Sequence, residues 1–181
     1  MMQRQPAVFV SVALALALVV TSCSATRPAA GRAAPSTPAI SLEDRAAITD
    51  LIHRYSYTWD GRDAAGWVGL FTDDAVIQAS FVGKQAWSYG SNTERRTFID
   101  GFYEAMAKQG LVTTRHVQAG TVLTPQSDGS VTGETMFVVA FQFRGEKVPR
   151  FTNTGVYRDR FVRTSAGWKF ARRDIDVDQE G

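Results

Sequence analysis

The spacing of apolar residues changes along this chain, and each change marks an element. From Ala7 to Val20 fourteen consecutive residues are apolar or small (AVFVSVALALALVV), behind a start that carries Arg4. The run falls short of the roughly 20 residues of a comfortable membrane span, and its positive flank is that of a signal-peptide core. Ser24 to Ile40 (SATRPAAGRAAPSTPAI) has no apolar period, and Pro28, Pro35 and Pro38 disfavour a continuous helix, so it reads as an extended tether. Order is expected from Ser41. There SLED offers a capping-box start, and apolar residues at 48, 51, 52, 55 and 59 follow at helical spacing, which predicts a helix over Leu42–Trp59. His53 lies opposite this stripe and Asp60 lies off it. A second short helix is predicted from Asp63 to Phe71, ended by TDDA, then a strand over Ala75–Phe81 and a loop or weak strand over Gly83–Gly90. Ser91–Glu94 opens a further helix, which carries Phe98, Ile99, Phe102, Tyr103 and Met106 and stops at Gly110.

Beyond Gly110 the period falls to two. Thr113–Leu123, Val131–Phe143, Phe151–Thr164 and Trp168–Asp176 read as strands separated by the short turns SDGS, RGEK and SAG. Short turns join antiparallel neighbours, so the expected fold is α+β: an antiparallel sheet packed on about three N-terminal helices, in a single domain over residues 41–181.

Composition adds limits. Of 20 Lys and Arg only Arg4 lies within the first 22 residues, which leaves 19 against 18 Asp and Glu, with no polybasic block. A nucleic-acid partner therefore has no electrostatic footprint. Cys23 is the one cysteine, so the domain is held by burial rather than by disulfides. VTSC, Val20 to Cys23, is similar to a bacterial lipobox. That similarity implies a signal peptide over 1–22, lipid on Cys23, a tether over 23–40, and a domain anchored on the outer side of the cell membrane. An ordinary secretory signal with an incidental cysteine is the other reading, and it gives a secreted protein.

Three stretches carry a wider resemblance: EDRAAITDLIHRYSYTWDGRDAAGWVGLFTDDAVI, TRHVQAGTVL and TGVYRDRFVRTSAGWKFARR. In this order they resemble the SnoaL-like, polyketide cyclase/dehydratase-like group of the nuclear-transport-factor-two-like superfamily, over about Leu42 to Asp176. The resemblance implies a cone-like curved sheet wrapped around a long helix. It also implies an aspartate just after the first helix paired with a histidine on a central strand, positions held here by Asp60 and His116. Imidazole titrates near neutrality and a carboxylate fixes its tautomer, so the pair suits proton transfer with His116 as base. A hydrogen-bonded structural histidine is the alternative. Arg163 matches a position where a dehydrochlorinase of this group carries an assisting arginine, whereas an exposed strand arginine is the plainer reading.

Departures narrow the expectation. The fungal dehydratase of this group uses a second histidine on the following strand, and here Met136–Phe143 (MFVVAFQF) has no titratable side chain. The dehydrochlorinase's lysine position is Tyr55. Strand parity places Gln118, Gly120 and Val122 on the face of His116. Tyr55, Tyr57, Trp59 and Trp67 are candidate substrate-binding residues, with core packing the alternative for Tyr55 and the tryptophans. Tyr157, Asp159, Phe161 and Arg163 share a face of their strand. Two histidines and no motif for phosphate or nucleophile chemistry leave no metal and no cofactor expected. The expectation is a cofactor-independent dehydratase, isomerase or cyclase for a hydrophobic small molecule, and the competing class is a non-catalytic ligand-binding or accessory protein of the envelope. A homodimer through an open sheet face is allowed.

Overall fold

The computed structural model describes residues 39–179. The predicted signal peptide, Cys23 and nearly all of the tether lie outside them. Helix α1 spans Leu42–Asp60, with the Ser41 hydroxyl accepting from the Asp44 N–H. Its buried residues, Ile48, Leu51, Ile52, Tyr55, Ser56 and Trp59, include every position of the predicted stripe. Helix α2 is only Ala64–Val68, capped by Asp63, because the chain extends again at Phe71. Strand β1 (Phe71–Phe81) thus starts four residues before the predicted Ala75, and TDDA lies inside it. The weak stretch forms β2 (Lys84–Tyr89), and α3 covers Asn92–Lys108. β3 (Leu111–Pro125), β4 (Val131–Phe143), β5 (Arg150–Thr164) and β6 (Gly167–Val177) complete the domain.

The six strands form one curved sheet in the order β2-β1-β6-β5-β4-β3. The sheet is mixed. β1 enters beside β6 in parallel (Ile77 opposite Arg173), whereas every other pair is antiparallel as expected. The three helices cover its inner face, and the core holds the α1 stripe together with Trp67, Phe71, Ile77, Tyr157, Phe161 and Phe170. Helix α3 is fixed through Arg95, fully buried, whose guanidinium donates to the carbonyls of Thr72, Asp73 and Ala75 on β1.

One sequence expectation fails on β3. The register slips between Ala119 and Val122, where Gly120 adopts a φ of 68°, a left-handed conformation that glycine tolerates. A bulge inverts side-chain parity beyond it. Val122 is therefore exposed and Leu123 is buried, so of the predicted row His116, Gln118, Gly120 and Val122 only the first two, with Thr114 before them, keep the inner face.

Candidate functional site

Residues two apart on a strand advance about 6.6 Å, and residues four apart on a helix about 6 Å. The near match lets a row on β3 meet a row on α1. Gln118 Nε2 donates to the Ile52 carbonyl (2.8 Å) and to the Ser56 hydroxyl (2.7 Å). One helical turn on, Asp60 accepts from the Thr114 hydroxyl (3.0 Å) and the His116 backbone N–H (2.8 Å), and its Oδ1 lies 2.7 Å from His116 Nδ1. Asp60 thus reaches His116 from beside the apolar stripe rather than from within it.

Asp60 ends α1, where the helix dipole disfavours a carboxylate. Tyr103 relieves the same terminus, its hydroxyl donating to the Trp59 carbonyl (3.0 Å). Burial by itself pushes the Asp60 carboxyl up. The hydrogen bonds and charge of His116, with the hydroxyl of Thr114, outweigh that and hold it below the ordinary aspartate range. An ionised carboxylate can only accept, so Nδ1 carries the hydrogen and Nε2 holds the lone pair of the neutral ring. Nε2 has no hydrogen-bond partner among the described residues. Both side chains are largely buried, His116 7% and Asp60 11% exposed. The imidazole meets the rings of Trp59 (5.4 Å between centroids) and Tyr55 (6.2 Å) edge-on.

His116 separates two spaces. Inside the sheet is an apolar cavity of about 200 Å³, walled by Trp59, Phe98, Phe137, Phe141 and Tyr157 among others, with Asn153 as its one amide. The Asn153 side chain makes no hydrogen bond among the described residues. Burial pushes the Tyr55 and Tyr157 hydroxyls above their ordinary range, so both stay neutral. Outside, between α1 and β3, runs a cleft of about 600 Å³ bordered by His53, Ser56, Tyr57, Asp60, Arg115 and Gln118.

The predicted residues divide between these places. Tyr55 and Trp59 are buried and line the inner cavity with His116. Tyr57, 80% exposed, borders the outer cleft, as does Gln118. Trp67 is fully buried behind Tyr55 and Trp59 and borders neither space. Arg163 is not brought to the dyad: its guanidinium pairs with Asp44 and lies over the Trp168 ring at 5.0 Å. Asn153 was missed, although it shares strand parity with Tyr157 across Gly155. Also missed was Arg173, fully buried, which pairs with Asp159 (2.7 and 2.8 Å) and packs between the Tyr55 and Tyr157 rings (4.0 and 4.1 Å) behind the cavity wall.

A family model described as SnoaL-like domain matches residues 41–174. No curated protein sequence matches the chain. Among solved structures, ActVI-ORFA from Streptomyces coelicolor is 22% identical with a TM-score of 0.68, the match covering 78% of this chain and 99% of that one. An NTF2-like protein with a cystatin-like fold from Novosphingobium aromaticivorans is 27% identical with a TM-score of 0.62, over 75% and 82% of the two chains. A provisional scytalone dehydratase from the same organism is 18% identical with a TM-score of 0.62, over 76% and 86%.

Proposed function

The chain belongs to the SnoaL-like domain family, and from that membership we propose that it is a cofactor-independent acid/base enzyme of the dehydratase, isomerase or cyclase type, acting on a hydrophobic small molecule. One observation carries the reading. His116 donates from Nδ1 to Asp60, lines an apolar cavity, and has an Nε2 with no partner among the described residues. In that geometry Nε2 takes a proton from a carbon beside a carbonyl, Asp60 stabilises the imidazolium, and the imidazolium, whose N–H exchanges with solvent, delivers a proton to another atom of the substrate. Asn153 is placed to donate its amide hydrogen to the substrate oxygen on which charge develops. The aromatic walls keep water away from the carbanion. His116 and Asp60 are the catalytic pair; Tyr55 and Trp59 hold and bound the substrate, while Trp67 supports them from the core. The mature protein is held by lipid on Cys23 at the extracytoplasmic face of the membrane, with residues 24–40 as spacer.

The test is deuterium uptake. Ring-bearing ketones and phenols small enough for the cavity are incubated with the protein in D2O and followed by NMR. At least one gains deuterium at a carbon next to its carbonyl or hydroxyl. His116→Gln lowers that rate by about 10²–10⁴-fold, and Asp60→Asn lowers it less. Compounds that bind equally to all three proteins without gaining deuterium would contradict catalysis and support a hydrophobic-ligand binder.

A further inference from the structure

Of the nine large apolar residues that the described domain leaves exposed, four lie along one end of the sheet, spread from the β1–β2 turn to β3. Val148 (69% exposed) lies in the turn between β4 and β5, and Phe151 (78%) is the second residue of β5. Val112 is the second residue of β3 at the same end, where the Arg144 N–H donates to the Gly110 carbonyl (2.8 Å). Val82 completes the rim from the turn between β1 and β2, its N–H donating to the Val177 carbonyl (3.1 Å). Cations are interleaved with these residues. Lys84, Arg144, Lys147 and Arg150 are all exposed, and the acids of the same segments are Glu146 and Asp178. Glu146 is taken by Arg150 (2.8 Å), while Arg144 and Lys147 form no ion pair among the described residues. Exposed aliphatic and aromatic groups among free cations match the chemistry of an anionic lipid surface, where apolar tips enter the headgroup layer and cations meet phosphates.

Residues that line the inner cavity adjoin this same rim along the chain and in the strand register. Phe81, which lines the cavity, adjoins Val82; Asn153 is two residues from Phe151; Phe141 lies opposite Arg150 in the β4–β5 register. We propose that this end of the domain rests on an anionic lipid bilayer, so that an apolar substrate passes from the bilayer into the cavity. The proposal rests on the reading of a lipid-anchored enzyme given above and names where its substrate comes from. Helix α1 begins at the other end of the sheet, where Trp168 Nε1 donates to Asp44 (3.0 Å), and its 19 residues span about 28 Å. The 17 residues from Ser24 to Ile40 reach roughly 55 Å when extended, twice that distance, so a chain anchored at Cys23 can turn its rim to the membrane.

An environment-sensitive fluorophore on Val148→Cys tests the surface, with Ser165→Cys in the turn between β5 and β6 as the far-end control. The mature full chain is mixed with vesicles of equimolar phosphatidylcholine and phosphatidylglycerol, or of phosphatidylcholine alone. Intact mass reports separately whether Cys23 carries acyl chains; where it carries none, a Cys23→Ala background keeps the label unique. The expected result is a blue-shifted emission at 148 with the anionic vesicles, weakened by salt and by Arg144→Glu with Lys147→Glu, and none at 165. No shift at 148 with anionic vesicles overturns the proposal, whatever the mass shows about Cys23. A shift that grows with protein concentration in the absence of vesicles also overturns it, and gives the surface to a second copy of the chain.

Discussion

Asp60 is a carboxylate at the wrong end of a helix, and it stays ionised there because three donors from β3 converge on it. Its folded pKa lies below the unfolded one, so its contribution to stability is present above the ordinary aspartate range, near pH 4, and is lost as pH falls through the depressed value. Asp60→Asn is therefore expected to cost on the order of 1–3 kcal/mol at neutral pH, by loss of charge-assisted hydrogen bonds. The difference from the native protein narrows below pH 4. Urea unfolding at pH 7 and pH 3 measures both, and a gap that does not change with pH would mean that the carboxylate's charge is not what the site uses. At this scale the sequence was partly legible. Nothing in the helical periodicity aims Asp60 inward; that came from the family resemblance. The aim was nonetheless encoded in the i, i+4, i+8 row Ile52, Ser56, Asp60, which becomes visible only when set beside Thr114, His116 and Gln118 at two-residue spacing. Asn153 carried no such marker, since an amide on a strand has many roles and only the pairing of β3, β4 and β5 sets it in one row with Val139 and His116.

The elements themselves were written plainly in the apolar spacing. Both long helices, their serine caps and four of the strands follow from it to within a residue or two. The errors share one cause, which is long-range pairing. β1 extends back to Phe71 and β2 forms because each has a neighbour to pair with, and β1 does so in parallel with a strand some ninety residues later, which no local pattern announces. Arg173 and Asp159 illustrate the same limit. They face each other across β6 and β5, and the guanidinium fills the space among Tyr55, Tyr157 and Phe170, tying the sheet to α1. Its Nη1 finds no oxygen, being set among ring faces. Burial works against the charge of Arg173, but Asp159 overcomes it and raises its pKa, so the guanidinium stays ionised. Arg173→Met leaves Asp159 buried without a partner and is expected to cost about 3–5 kcal/mol, whereas Arg173→Met with Asp159→Leu recovers most of it. Thermal and urea unfolding of the single and double variants check this; equal losses in both would show that packing among the rings, not pairing, is what Arg173 supplies.

For the molecule as a whole, sequence and structure meet at different depths. The α+β class and the single domain were readable because helices precede strands and the turns are short. The cavity was not, since its walls come from α1, α3 and all six strands, β2 and β3 supplying one residue each, Trp87 and His116. The lipobox-like Val20–Cys23 lies outside the described residues, and it and the exposed rim are the two observations behind the proposal of a membrane-facing enzyme. At the centre of that account is one proton position. In the proposed mechanism Asp60 keeps the hydrogen on His116 Nδ1 and leaves Nε2 as the base. ¹⁵N NMR of the imidazole in its neutral form reads this directly, with His53 as the only other signal to assign. The account predicts a protonated Nδ1 and a bare Nε2 in the native protein, and loss of that preference in Asp60→Asn. A hydrogen found on Nε2 of the native protein would contradict it, because the atom assigned to take the substrate's proton would already be carrying one.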